Sequence, residues 1–209
     1  MRISFSSLAI GRDYREPDPV VLSEVAAKNR DRFERCGYHG RPENAASDAT
    51  LVQYVAHYRM AAAGRCDYPR RGLFLHGPAG TGKTFAARII AAILDIDYFT
   101  VFELGTAFSM AGASGFWGLF ESCRKMPMVI DDLGNESSVK SYSNVLPVRE
   151  LLIARYELWQ SLQCPTIITS NFASRKEISA AYGEFVTSRV LGMCDFVQFR
   201  GTDQRLQRA

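Results

Sequence analysis

The feature that most constrains the fold of this chain is a glycine-rich segment at residues 77–84, which reads Gly-Pro-Ala-Gly-Thr-Gly-Lys-Thr. The segment fits the pattern G-x-x-x-x-G-K-[ST], a phosphate-binding loop placed between a strand and a helix. An apolar run at residues 73–75 precedes it and is typical of a short buried strand, and residues 85–94 have a helical pattern. The segment therefore predicts a strand, a phosphate-binding loop and a helix in direct succession.

The residues of this loop have distinct chemical roles. Its glycines let the backbone turn tightly and bring N–H groups against phosphate oxygens, and the next helix adds its positive N-terminal dipole. Lys83 is expected to reach the β- and γ-phosphates, and the Thr84 hydroxyl to bind Mg²⁺. The predicted nucleotide-binding residues are Gly77, Pro78, Ala79, Gly80, Thr81, Gly82, Lys83, Thr84 and Phe85.

Composition adds modest bounds. The chain has 209 residues, 47% of them apolar and 22% charged, which fits one soluble α/β domain with or without an appendage. A net charge of +3 is too small to indicate a polyanionic partner by itself, although it permits a local basic patch. Five scattered cysteines favour reduced thiols, and no apolar run reaches membrane-spanning length. We therefore expect a cytoplasmic protein without a membrane segment.

The sequence divides near residue 70. From residue 72 onward strand and helix patterns alternate, which predicts a parallel sheet with helices on both faces. We accordingly predict an N-terminal helical extension at residues 1–65 and an α/β core at residues 66–209. The predicted strands are 73–76, 98–102, 127–131, 165–170 and 196–199, and a helix is predicted at 148–161.

The extension has the pattern of two helices. The first is predicted to begin after an Asp18 cap and to end at Cys36-Gly37. The second is predicted to be capped by Ser47 or Asp48 and to end at Gly64. Their apolar faces are explained equally well by packing against the sheet and by docking of a partner protein.

A second motif follows the loop in sequence. Residues 128–132 form an apolar strand that ends in Asp131 and Asp132. The end of a parallel strand lies at the ligand-binding edge of the sheet, so both carboxylates are expected beside the phosphates. Asp131 would hold Mg²⁺, directly or through water, and Asp132 would polarise the attacking water. Glu136 is a second candidate for the role of Asp132.

Three polar side chains complete the predicted catalytic set. Asn171 follows a β-branched strand and is placed to sense the γ-phosphate, although asparagine is also a common turn residue. Arg189 and Arg205 have the forked guanidinium that suits phosphate. One arginine is expected to serve its own site and the other a neighbouring copy's site.

In this ordered combination the chain resembles the AAA+ ATPases, and among them the DnaC/DnaI helicase-loader and IstB-like branch. The resemblance covers about residues 70–206 and rests on Gly72–Gly77 into the loop, Asp131-Asp132-Leu133-Gly134, Arg155-Tyr156, Thr169-Ser170-Asn171 and the run from Tyr182 to Arg205. It implies a five-stranded parallel sheet flanked by helices, ATP and Mg²⁺ as cofactors, and assembly into a homo-oligomer. By position Arg189 resembles the arginine finger, Arg205 resembles sensor 2, and Asn171 resembles sensor 1.

The resemblance also implies partners. Residues 1–65 occupy the position of the region that contacts the replicative helicase in loaders, and the end of the chain just after Arg205 implies that the helical lid of typical AAA+ proteins is absent. Residues 104–118 fall where such proteins present single-stranded DNA contacts, with Phe108, Phe116 and Trp117 available for stacking. Arg124 and Lys125 would touch phosphates, whereas Phe116 and Phe120 are better explained as core residues.

Three functions are compatible with these patterns. The first is a helicase loader that binds ATP, the replicative helicase and single-stranded DNA. The second is an IstB-like regulator of transposition, which would use the same ATPase on duplex DNA. The third is a small P-loop nucleotide kinase, which the Asp131-Asp132 pair and Asn171 disfavour, as does the absence of an arginine-rich segment between residues 104 and 150.

Overall fold

The computed structural model describes residues 14–121, 127–135 and 147–203, and within the long helix 101–121 it describes the side chains as far as Met110. Helices and strands alternate along this part of the chain. In chain order they are α1 (Pro19–Arg35), α2 (Ala45–Ala62), β1 (Gly72–His76), α3 (Lys83–Leu94), β2 (Asp97–Thr100), α4 (Val101–Glu121), β3 (Met128–Leu133), α5 (Pro147–Leu162), β4 (Thr166–Ser170), α6 (Arg175–Tyr182), α7 (Glu184–Met193) and β5 (Cys194–Gln198).

The five strands form one parallel sheet in the order β2-β3-β4-β1-β5. Strand β4 therefore lies between β1, which leads into the glycine-rich loop, and β3, which carries the two aspartates. In register, His76 of β1 and Leu133 of β3 both pair with Ser170 of β4, so the carboxyl ends of these three strands meet at one edge. The predicted five-stranded parallel sheet with flanking helices is confirmed.

Two apolar layers cover the sheet, one on each face. Alternate residues of the strands point to opposite sides, so that Leu73 and Leu75 face α1, α2 and α3, whereas Phe74 faces α4, α5, α6 and α7. Each fully buried side chain of this size contributes about 1.5–3 kcal/mol to folding. Both layers therefore hold the loop and the strand ends at a defined edge.

Helix α2 belongs to this core. Leu51 and Val55 are fully buried in the same cluster as Leu73 and Ile90. Packing of α2 against the sheet is thus observed. Docking of a partner on residues 1–65, and the division of the chain at residue 65, stay predictions.

The predicted cap of the second helix was wrong. Helix α2 begins at Ala45, directly after a short 3₁₀ turn at Pro42–Asn44. The Ser47 hydroxyl instead donates to the carbonyl oxygen of Gln198, and the Asp48 carboxylate accepts from the Tyr38 hydroxyl. Contacts made by the folded chain have therefore overridden a local capping pattern. The Asp18 cap of α1 is confirmed, since its carboxylate accepts from the N–H groups of Val20 and Val21.

The predicted strand 98–102 was too long at its end. Helix α4 begins at Val101 because Thr100 and Glu103 form a reciprocal cap. The Glu103 carboxylate accepts from the N–H and the hydroxyl of Thr100, and the Thr100 hydroxyl accepts from the Glu103 N–H. Strand β5 likewise spans Cys194–Gln198 rather than 196–199.

Within the described residues, no helix has both the length and the apolar character needed to cross a membrane.

Candidate nucleotide-binding site

A cleft of about 680 Å³ lies at the carboxyl edge of the sheet. One wall is the glycine-rich loop and the start of α3, and part of the base is formed by the ends of β3 and β4. The opposite wall comes from the segment between α1 and α2, which sequence patterns had not connected with this site. The residues that line the cleft are Gly37, Tyr38, His39, Gly40, Arg41, Asn44, Ala79, Gly80, Thr81, Gly82, Lys83, Thr84, Phe85, Arg88, Asp132, Asn135, Thr169 and Asn171.

The path of the loop depends on glycine. Gly77 has a φ of +138° and Gly82 a φ of +98°, which side chains disfavour. A Cβ at Gly77 would also overlap the backbone carbonyl oxygen of Phe199, whose N–H donates to His76 across 2.7 Å. The loop therefore passes close against the chain that follows β5, and only glycine permits both the turn and the approach.

Lys83 lies inside this loop. Its side chain is 6% exposed, and its Nζ donates to the carbonyl oxygens of Gly77 and Pro78 at 2.8 and 2.6 Å. The ammonium is therefore held where the loop would enclose phosphate. Phosphate oxygens bound there would replace neutral carbonyl acceptors by charged ones, which make stronger hydrogen bonds.

The opposite wall presents an aromatic ring to the loop. The rings of Tyr38 and Phe85 stack, with centroids 6.2 Å apart and an interplanar angle of 24°. The Tyr38 hydroxyl donates to Asp48, and burial is the main cause that raises the pKa of Tyr38 far above its usual range. This tyrosine therefore remains a neutral hydrogen-bond donor at physiological pH.

Asn44 fixes this wall to the far end of the described chain. Its side-chain nitrogen donates to the carbonyl oxygen of Arg200 at 3.1 Å, and its side-chain oxygen accepts from the Arg200 N–H at 2.7 Å. Both backbone groups of one residue are thus satisfied by one amide. No local pattern announces such a pairing, because the partners lie 156 residues apart in sequence.

Asp131 is buried at the end of β3. The Tyr98 hydroxyl donates to one carboxylate oxygen, and the Thr169 hydroxyl donates to the other. Thr169 lines the cleft, whereas Asp131 lies one hydrogen bond behind it. Carboxylate oxygens are ligands that Mg²⁺ prefers, and Asp131 presents two of them directly behind the cleft wall. The residues therefore fit the magnesium ion that the loop implies.

Asp132 projects into the cleft from a strained backbone. Its φ is +66°, a left-handed conformation that costs about 1–3 kcal/mol in a residue other than glycine. The register between β3 and β4 shifts between Ile130 and Leu133, and the Asp132 N–H donates to the Thr169 hydroxyl at 2.9 Å. This bulge separates the two aspartates, turning Asp131 inward and Asp132 towards the cleft.

Asn171 stands beside Asp132 at the end of β4. Its side-chain nitrogen is 3.5 Å from an Asp132 carboxylate oxygen, which is a long contact. Both side chains line the cleft, as the sequence predicts for a phosphate sensor and a water-polarising carboxylate. Their catalytic roles stay predictions.

The remaining predicted residues are placed differently. Arg189 does not line the cleft: its guanidinium stacks 3.3 Å from the Phe185 ring centroid and lies 5.2 Å from that of Tyr156. Glu136 and Arg205 lie outside the described residues, as do the side chains of Phe116, Trp117, Phe120, Arg124 and Lys125. Phe108 is half-buried and packs against the core formed with α5.

The glycine-rich loop, the aspartate-bearing strand and the strand inserted between them define a P-loop nucleoside triphosphatase fold with an added central strand. Residues 73–175, about half of the chain, match the model of the family described as "ATPase family associated with various cellular activities (AAA)". The chain therefore carries an AAA ATPase domain, whose members bind nucleotide.

Two solved structures share this fold. The crystal structure of the DnaC helicase loader has a TM-score of 0.54 and 20% identity over 78% of this chain and 94% of that chain. The AMPPCP-bound DnaA of Aquifex aeolicus has a TM-score of 0.54 and 14% identity over 82% of this chain and 51% of that chain. At such identities the likeness shows the fold alone. No curated protein sequence gives a significant match.

A short hydrogen-bonded chain that sequence patterns had not indicated leads to Asp131. Arg88 Nε donates to the Tyr98 hydroxyl at 3.1 Å, and that hydroxyl donates to the carboxylate. We expect Tyr98→Phe to raise the Mg²⁺ concentration needed for half-maximal ATP turnover about tenfold, the scale of losing a residue that orients a metal ligand. A Mg²⁺ titration of phosphate release measures this.

Tyr54→Phe is the matched control for that titration. The Tyr54 hydroxyl is buried in the core and has no hydrogen-bond partner among the described residues, so the variant tests the loss of a tyrosine hydroxyl alone. A Tyr98→Phe titration that overlays those of wild type and the control would show that Tyr98 does not orient Asp131.

Proposed function

We propose that the protein is a Mg²⁺-dependent ATPase that acts in DNA replication as a helicase loader, assembling on the replicative helicase and single-stranded DNA. One observation carries the ATPase part of this proposal. Lys83, Asp132, Thr169 and Asn171, which come from three separate parts of the chain, line a single cleft. The AAA family match supports the same activity.

In this proposal the loop and the strand ends have separate parts in hydrolysis. The backbone N–H groups of the loop and the Lys83 ammonium bind the β- and γ-phosphates. Asp132 accepts a hydrogen bond from the attacking water and Asn171 holds the water or the γ-phosphate, while Asp131 and Thr84 hold Mg²⁺. The bound ion would neutralise charge that develops on the phosphate oxygens. Tyr98 and Thr169 keep the Asp131 carboxylate in one orientation.

The replication part of the proposal has weaker but independent support. The described fold is similar to that of the DnaC helicase loader over most of both chains, and to that of DnaA. On α4, Phe102 is 58% exposed and Met110 is 83% exposed, so this helix presents apolar side chains to the surroundings. Such side chains suit contact with unstacked bases or with a partner protein.

We propose that several copies of the chain assemble, with Arg189 of one copy acting on the site of the next. The side chain is outside the cleft that Lys83 lines, so it is proposed to reach the nucleotide of an adjacent copy. A site completed by its neighbour hydrolyses ATP only in the assembly. This arrangement would couple ATP turnover to loading.

The Asp132→Asn variant tests the function directly. Its amide keeps the shape of the carboxylate but removes the negative charge that orients water, so we expect ATP binding to persist and phosphate release to fall about 100-fold or more. The trapped ATP state should then retain the host's replicative helicase on a single-stranded oligonucleotide in size-exclusion chromatography. Asp97→Asn, an exposed aspartate at the start of β2, is the control.

Other outcomes of the same experiment separate the rival functions. Unchanged turnover in Asp132→Asn would remove this residue from hydrolysis. Retention of a transposase on duplex DNA, and not of the helicase, would favour the IstB-like function. Transfer of the γ-phosphate to a nucleoside monophosphate would identify a kinase.

A further inference from the structure

A second, smaller cavity of about 220 Å³ lies between α1 and the end of α2. Three apolar residues line it, Val25, Met60 and Ala63, which we call its floor, together with four cationic residues. We call this cavity the basic groove. The residues that line it are Val25, Lys28, Asn29, Arg32, Arg59, Met60, Ala63 and Arg65.

The basic groove is separate from the nucleotide cleft. Asn44, at the start of α2, belongs to the cleft, whereas Met60, near the end of the same helix, belongs to the groove. At about 1.5 Å per residue, the two positions are about 24 Å apart along the helix axis. The basic groove is therefore a separate cavity from the nucleotide cleft.

The charge of the groove is uncompensated. No carboxylate is among its lining residues, and within the described part of the chain Lys28, Arg32, Arg59 and Arg65 form no ion pair. Arg59 Nη1 donates to the side-chain oxygen of Asn29 at 3.0 Å, the one polar contact that these four side chains make with other described residues. A cluster of four unpaired cations at an apolar depression attracts an anionic ligand.

A buried donor adds an independent requirement. Asn29 is 1% exposed, and among the described residues its side-chain nitrogen has no hydrogen-bond partner, although its oxygen accepts from Arg59. Buried polar groups without a partner are uncommon in folded proteins and mark places where an acceptor is missing. Asn29 is among the residues that line the groove, so this unmet donor lies in the groove wall.

We propose that the basic groove binds an acidic peptide segment of another protein, with an aliphatic side chain on the floor and carboxylates against the four cations. The floor explains the preference for peptide over nucleic acid, because the lining has no aromatic ring on which a base could stack.

The chain's own segments outside the described residues do not match the charge of the groove. Residues 1–13 contain two arginines and one aspartate, and 204–209 contain two arginines and no acid. Residues 122–126 contain Arg124 and Lys125 and no acid, while 136–146 contain one glutamate and one lysine. None of these four segments therefore supplies the acidic ligand.

A fluorescent peptide tests this proposal on the full chain. The probe is a labelled dodecapeptide with leucine at every fourth position and glutamate elsewhere, and binding is followed by fluorescence anisotropy. We expect saturable binding that weakens at least about fivefold when the leucines become serine, because the apolar floor then loses its partner. Replacing the glutamates by glutamine should abolish it.

Charge reversal at the rim locates the bound peptide. The variant Lys28→Glu/Arg65→Glu changes two exposed residues of the groove and should weaken binding at least about tenfold. The control Arg35→Glu/Lys176→Glu makes the same change in net charge at exposed positions outside the groove and should bind within about twofold of wild type. Both variants keep the nucleotide cleft, so ATP binding verifies their fold.

Three results would overturn the proposal. Equal losses in the groove variant and the control would show binding by net charge alone. Tighter binding of a labelled oligothymidylate than of the peptide, lost in the same groove variant, would make the groove a nucleic-acid site. Peptide binding that is unaffected when leucine is replaced by serine would remove the aliphatic floor from recognition.

Discussion

Replacing Lys83 by alanine is expected to abolish ATP binding while the fold remains intact. Lys83 Nζ now donates to two loop carbonyls, and phosphate would offer it charged acceptors in the same place. Each charge-assisted hydrogen bond contributes about 1.5–3 kcal/mol. The loss of two such bonds therefore weakens binding about 100-fold or more.

The fold tolerates this change because of where Lys83 lies. It is the first residue of α3, and alanine is the best helix former, so the helix can still begin there. Titration with a fluorescent ATP analogue measures affinity, and thermal unfolding without nucleotide checks the fold. Lys176→Ala, at an exposed position of α6, is the control. Normal ATP affinity in folded Lys83→Ala protein would show that the cleft is not the ATP site.

Replacing Arg189 by alanine is expected to lower ATP turnover about 1,000-fold in the assembled state, the scale of losing an arginine finger. The side chain lies on α7 against Phe185 and Tyr156 and does not line its own copy's cleft. ATP affinity at high dilution should therefore remain unchanged. Wild-type turnover per protomer should rise with protein concentration, and Arg189→Ala should lose that rise.

A mixture of two inactive variants tests whether Arg189 acts on a neighbour. Arg189→Ala supplies an intact cleft and Lys83→Ala supplies an intact arginine, so mixed assemblies should recover part of the turnover. Arg175→Ala is the control, because Arg175 is an exposed arginine on the adjacent α6 that pairs with Glu184. If the mixed assemblies are as inactive as either parent, Arg189 does not act on the site of a neighbouring copy and has only a structural role within α7.

The central machinery was predictable because each part is contiguous in sequence. The glycine-rich loop needs its glycines at fixed spacing. The apolar strand that ends in Asp131 and Asp132 indicates by its polar end which residues lie at the carboxyl edge of the sheet. Parallel strands then bring such ends together, which is how Asn171 reaches Asp132. The pattern thus predicted which strand ends meet, whereas the catalytic roles of these residues stay predictions.

The rest of the cleft depends on contacts between distant residues. Tyr98 resembles any aromatic residue of a strand until β2 pairs with β3 and places its hydroxyl on Asp131. Ser47 and Asp48 fit a capping pattern. In the folded chain, however, Ser47 forms a hydrogen bond with Gln198 and Asp48 forms one with Tyr38. The wall at residues 37–44 had no sequence signal, since its place is set by Asn44 holding Arg200.

The pairing of Asn44 with Arg200 makes the cleft a connection between an early and a late segment of the described chain. Asn44 and Ser47 hold the backbone of Arg200 and Gln198, and the segment beyond β5 passes against Gly77. A ligand that contacts both the 37–44 wall and the loop would hold these two walls together. The N-terminal helices would then separate from β5 only after the ligand dissociates. Ligand at about 100 times its Kd would add about 2.7 kcal/mol against unfolding. A nucleotide bound in the cleft would then also link the segment at residues 37–44 to the segment that follows β5.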